Sequence, residues 1–68
     1  MKATNPLEGR EILIEMAQQG QYVKVTAFDT KSLTEVSIQG PRSAGESMLQ
    51  RNAIKRLEYV LRKNGIIN

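Results

Sequence analysis

The stretch YVKVTAFDTKSLTEVSIQGP, residues 22–41, decides the fold. Val23, Val25 and Ala27 alternate with Tyr22, Lys24, Thr26 and Phe28, the period of a strand with one buried face. DTKS at 29–32 has the chemistry of a polar turn. Thr34 to Gln39 then read as a further strand with Val36 and Ile38 on one face, and Gly40-Pro41 ends the run.

Upstream, Ile12, Ile14 and Met16 share one face of a strand and Glu11, Leu13, Glu15 and Ala17 the other. QQGQ at 18–21 supplies the glycine of a hairpin turn. Closing that hairpin with Gln18 opposite Gln21 pairs Met16 with Val23, Ile14 with Val25 and Ile12 with Ala27. It also sets Glu15 across from Lys24, a favourable cross-strand pair. Closing the second hairpin with Phe28 opposite Leu33 pairs Val25 with Val36 and Val23 with Ile38. Both closures put the apolar sets on one side of the sheet, and a slip of one residue in either would break that agreement.

Downstream, SAGESMLQRNAIKRLEYVLRKNG (43–65) is the one long helical pattern. Ser43 and Glu46 fit a capping box, and Gly65 fits the position just past the helix end, from which Ile66 would return onto Leu61. Leu49, Ala53, Ile54, Leu57, Val60 and Leu61 occupy an arc of about 140°, wide enough to cover a sheet. The expected fold is therefore α+β: a three-stranded antiparallel meander followed by one helix packed on one face, β-β-β-α. Residues 1–9, with Asn5-Pro6, Gly9 and no period, read as a disordered leader, and residues 10–68 as one domain.

The chain has 68 residues, no Cys and no His. A domain of this size buries only roughly 60% of the surface its unfolded chain exposes. Small scaffolds compensate with disulfides, a metal or oligomerisation, and the missing residue types set the first two aside. The counted core is eight strand and six helix side chains, and one helix leaves the second sheet face bare. A homodimer is the expected partner state. The second face, a strand edge or an exchanged helix are its three routes. Leu13, Tyr22, Phe28 and Leu33 on the outer sheet face, with Met48 and Tyr59 on the helix, are candidate contacts. Gly40-Pro41 is a candidate hinge, because Pro41 biases Gly40 toward an extended connection that reaches either sheet.

An enzyme reading fails for lack of reagents: no catalytic residues, cofactor or small-molecule substrate can be named. A Ser, Thr or Lys nucleophile would need an activating base, and those residues fall on turns, the helix surface or the outer sheet face. Glu11, Glu15 and Glu35 share a strand face and could approach a hard cation, but a charged, solvated sheet face has the same composition. GPRSAG opens a helix without a phosphate-loop pattern. The N-terminus has no apolar signal region, and no run reaches the ~20 apolar residues of a membrane span, so a cytoplasmic protein with no membrane partner is expected.

Charge is unevenly placed. Residues 1–40 carry four basic and five acidic side chains, net −1, and residues 41–68 carry six and two, net +4. Arg51, Lys55 and Arg62 make one row on the helix and Arg56 and Lys63 another, with Met48 and Tyr59 between them. Cations flanking an aromatic suit phosphate contact plus base stacking, which makes nucleic acid the alternative partner. A solvated helix face is the competing reading. Three strands and a helix also resemble the latter part of a double-stranded RNA-binding domain. Its phosphate-gripping lysines, however, are replaced here by Ser43, Ala44, Gly45 and Glu46.

GQYVKV (20–25), TEVSIQGP (34–41) and KRLEYVL (55–61) resemble a family of small uncharacterised proteins from alphaproteobacteria, over roughly Arg10 to Leu61. That resemblance implies a bacterial, cytosolic protein. It assigns no activity and carries over no functional residues.

Overall fold

The computed structural model describes residues 7–68. Strands β1 (Ile12–Gln19), β2 (Tyr22–Asp29) and β3 (Thr34–Pro41) form one antiparallel sheet in the order β1-β2-β3, followed by helix α1 (Glu46–Lys63). The β-β-β-α expectation is met. Alternation places Val23, Val25, Ala27 and Asp29 of the central strand beneath the helix, all buried. Leu49, Ala53, Leu57 and Leu61 come down onto them, the i, i+4, i+8, i+12 row of a covering face. Leu57 and Leu61 are wholly buried, and each such leucine contributes roughly 1.5–3 kcal/mol. The helix sits chiefly against β2 and β3. Ile12, Ile14 and Met16 of β1 point the same way but remain only half-buried.

Both hairpins are shifted by two residues from the expected registers. Gln19 faces Tyr22, so Met16 lies opposite Val25 and Ile14 opposite Ala27. Asp29 faces Thr34, so Val25 lies opposite Ile38 and Ala27 opposite Val36. A shift of two leaves every side chain on its face, which is why the face assignment survives. The expected Glu15–Lys24 pair does not form: Glu15 faces Thr26 and Lys24 faces Ala17.

The turns explain the shifts. Gly20 takes φ +63° at the first central position of a Gly20-Gln21 loop, the requirement of a tight hairpin turn with glycine leading. At the second turn Asp29 stays in the strand and the loop is 30–33. Leu33 is therefore a loop residue with φ +62°, 72% exposed, and not part of the outer sheet face.

The capping box is also corrected. Gly45, at φ +88°, breaks the helical run, so Arg42–Ala44 form a separate 3-10 turn and α1 starts at Glu46 with no side-chain cap from Ser43. The other end follows expectation in its backbone. The Ile66 amide donates to the Leu61 carbonyl (2.8 Å) and the Gly65 amide to Arg62 (3.0 Å), with Gly65 at φ +75°. Ile66 itself is exposed, and Ile67 packs on the core instead. Most of the expected leader lies outside the described residues. Of its last three residues Leu7 is buried in the core cluster, and the Arg10 amide donates to its carbonyl (3.0 Å).

Candidate interaction surfaces

One polar cluster lies beneath the surface. Asp29, on the core-facing parity of β2, is the one buried charged side chain among the described residues. Its Oδ2 accepts from Arg10 Nη1 (2.7 Å), Ser32 Oγ (2.6 Å) and the Ser32 amide (3.3 Å), and its Oδ1 from the Lys31 amide (3.4 Å). Burial, the largest single influence, pushes the Asp29 carboxyl up. The Ser32 hydroxyl, the Lys31 amide, the Arg10 cation and the Ser32 amide together outweigh it and hold the carboxyl below its ordinary value. Arg10 also reaches toward the Ile66 carbonyl (3.5 Å), so the cluster joins the entry to β1, the second turn and the end of the helix. Three of the four contacts fall on Oδ2 and all four come from this chain's own turn and Arg10, so the carboxylate ties the second turn to the entry of β1.

On the outer sheet face Leu13, Phe28 and Glu35 stand side by side across the three strands, and Glu15, Thr26 and Ser37 form the next rank. Thr26 and Ser37 share a hydroxyl hydrogen bond of 3.0 Å. A shallow depression of about 490 Å³ is lined by Leu13, Ile14, Glu15, Thr26, Phe28 and Glu35. Tyr22, 58% exposed, lies at the far end of β2, roughly 20 Å from Phe28 at ~3.3 Å per residue. Lys24 and Thr26 separate them on the same face. Leu13 and Phe28 therefore meet, Tyr22 stands at the other end of the same face, Leu33 lies in the second turn, and Met48 and Tyr59 lie on the helix. Among the described residues no three acidic side chains gather as a metal-ligating group, Glu11, Glu15 and Glu35 included.

The basic residues of α1 stay on its solvent side: Arg51, Lys55, Arg56, Arg62 and Lys63 are all exposed. Two of them are engaged locally. Arg62 Nη2 pairs with Glu58 Oε2 one turn back (2.9 Å), and its Nε donates to the Asn68 carbonyl (3.1 Å). The Arg56 guanidinium lies 5.8 Å from the centre of the Tyr59 ring, within cation–π range, so the ring that would stack a base is already partnered.

At the candidate hinge, Gly40 is buried and pairs with Val23, while Pro41 is extended (φ −70°, ψ 146°) and closes β3. Gly40 has a packing role that the sequence reading did not assign. A Cβ there would collide with Cδ2 of Leu49, so the missing side chain is what lets the first turn of the helix settle on the sheet. No helix among the described residues is long and apolar enough to cross a membrane.

No curated protein and no solved structure matches this chain. One family does, over residues 9–64, a span running from just before β1 to the helix C-cap, and thus the whole sheet and its covering helix. By that match the chain belongs to the family described as a domain of unknown function, DUF6898.

Proposed function

We propose that this chain is a self-associating binding module, a homodimer without catalytic activity of its own. The observation that carries the reading is the half-covered strand β1. Ile12, Ile14 and Met16 face the core side of the sheet, yet the helix lies over β2 and β3 and leaves them half in water. A second copy laid against that flank removes the remaining apolar surface and supplements a core that is small for a domain of this length. On the outer face Leu13 and Phe28 adjoin while Tyr22 stands at the far end and Leu33 in the turn, a small apolar patch that argues against that face as the main contact.

Light scattering over a hundredfold range of concentration tests this. Twice the chain mass, falling to the single-chain mass only on dilution, is the expected result, and a single-chain mass throughout overturns it. A parallel titration with mixed RNA and DNA at low and high salt tests the basic helix face. Binding that weakens steeply with salt would move the assignment to a nucleic-acid-binding role for Arg51, Lys55, Arg56 and Lys63.

A further inference from the structure

The two edges of the sheet differ in what their backbones offer. The Thr30 amide donates to the Glu11 carbonyl (3.2 Å). In an antiparallel ladder both polar groups of a residue point to the same neighbour, and successive residues alternate. Glu11, Leu13, Glu15, Ala17 and Gln19 thus spend their amides and carbonyls on β2, and Ile12, Ile14, Met16 and Gln18 present theirs at the outer edge of β1, which has no partner strand among the described residues. On the opposite edge the Arg42 amide donates to the Gln21 carbonyl (2.9 Å), which by the same alternation leaves Glu35, Ser37, Gln39 and Pro41 facing outward from β3. Pro41 has no amide to donate, and the side chains of that outward set are polar apart from Pro41 itself. β1 has no Pro, no Lys and no bulge, and its only charge is Glu15. The devices that blunt an exposed edge are present on β3 and missing from β1.

Resting on the self-association reading above, we infer that two copies join through β1, antiparallel, with Ile14 opposite Ile14 at the two-fold axis. The register follows from elimination. Antiparallel edge pairing by a two-fold axis keeps both helices on one side of the joined sheet, so a single residue must face its own copy. Centring on Leu13 opposes Glu11 to Glu15 of the second copy, and centring on Glu15 opposes Glu15 to itself, both like-charge contacts. Centring on Met16 sets Ile14 against Gln18, centring on Ala17 sets Met16 against Gln18, and centring on Ile12 or beyond Ala17 engages three residues of β1 or fewer. Centring on Ile14 places Ile12 against Met16 of the second copy on the helix side, and Leu13 against Glu15 and Glu11 against Ala17 on the outer side, with no like charges opposed. Ile14 then exchanges both of its backbone hydrogen bonds with its counterpart, and the product is one continuous six-stranded sheet. Gln50, whose amide reaches the Met16 sulfur (3.3 Å), marks the helix flank that faces β1, and half-buried Ile54 lies one turn further along the same flank.

The chain has no Cys, so single-cysteine variants report the geometry directly. Residues opposed in a hydrogen-bonded pair have Cα atoms about 5.5 Å apart, inside the range a disulfide spans. Under mild oxidation Ile14→Cys is expected to form a disulfide-linked dimer at least tenfold faster than Glu15→Cys or Thr26→Cys. Ile14→Pro removes an amide that faces only the outer edge, so it should keep a native far-UV spectrum and run at single-chain mass. Should Ile14→Pro fail to fold, the cross-linking comparison decides alone. A wild-type dimer that cross-links faster at position 15 or 26 overturns the β1 register while leaving self-association standing. A wild-type monomer at every concentration overturns both.

Discussion

The sharpest test of the fold's internal logic is the Asp29 carboxylate. Asp29→Ala removes an acceptor of four hydrogen bonds and leaves the Arg10 side chain, only 12% exposed, with nothing but the distant Ile66 carbonyl. Breaking a buried pair from one side costs about 3–5 kcal/mol. The residual exposure of Arg10 puts this case near the lower figure. Against a stability of about 5 kcal/mol or less for a domain of this size, that loss nearly abolishes folding. Asp29→Asn is gentler. Its amide oxygen can take the Oδ2 position and keep Arg10 and both Ser32 donors, losing the ionic part of those bonds. Charged hydrogen bonds exceed neutral ones by about 1 kcal/mol each, and the Arg10 bond keeps its cation, so the two Ser32 bonds set the expected loss at about 2 kcal/mol.

The pH dependence separates charge from shape. The folded carboxyl titrates below its ordinary value of 3.8. As pH falls, the unfolded chain therefore binds this proton first. The stabilisation is complete above about pH 5 and is lost as pH drops through the ordinary value toward the folded one. Urea unfolding followed by circular dichroism, from pH 7 to pH 3, should show wild type losing more stability than Asp29→Asn across that window. Arg10→Ala combined with Asp29→Asn should cost less than the two losses added. Parallel pH profiles, or a loss under about 0.5 kcal/mol for Asp29→Asn at pH 7, would refute the account.

Other positions give separable outcomes. Gly40→Ala should destabilise by about 1–3 kcal/mol in the same urea assay, since the added methyl meets Leu49 on a packed interface. Leu57→Ala should cost about 2–5 kcal/mol, the range for deleting a fully buried leucine, and a loss below 1 kcal/mol would contradict its placement. Leu33→Gly works the other way: relief of the left-handed backbone, about 1–2 kcal/mol, exceeds the added freedom of the unfolded chain, about 0.4–1 kcal/mol. A small rise in urea midpoint is expected there. Glu58→Gln should change stability by less than about 0.5 kcal/mol, because its pair with Arg62 lies on the exposed helix surface.

What the sequence made legible was parity, and what it hid was register. Burial acts on alternate residues, so Val23, Val25, Val36 and Ile38 declare their face wherever the turns close. Two turn closures that differ by two residues satisfy the same pattern, and only backbone chemistry separates them. Gly20 prefers the first loop position, and Asp29 is worth more as a strand residue gripping its own turn than as the turn's first residue. The Arg10–Asp29 pair had a readable trace. Asp29 continues the core parity of 23, 25 and 27, and a carboxylate there demands a partner. Arg10 continues the parity of 12, 14 and 16. The capping box misled because Ser43 and Glu46 match the motif while Gly45, between them, adopts a conformation that no helix interior permits.

The same two features that hold the helix down also decide which part of the sheet stays open. At one end Gly40 admits Leu49 over β3; at the other, Arg10 joins Asp29 to the Ile66 carbonyl just past the helix terminus. An 18-residue helix is roughly 27 Å long, about the length of an eight-residue strand at ~3.3 Å per residue. Seated on two pins, at Leu49 and at its far end near Arg10, it packs on β2 and β3. The stretch Ile12 to Met16 is therefore left with half-buried apolar side chains beneath and, among the described residues, no strand paired to its outer rim. Loosening either pin should let the helix drift toward β1 and weaken self-association. Gly40→Ala is thus expected to lower the dimer fraction by more than its stability loss alone accounts for, read by light scattering beside Leu57→Ala, which destabilises without touching a pin. Equal dimer fractions at matched stability would show that helix placement and the open edge are unconnected.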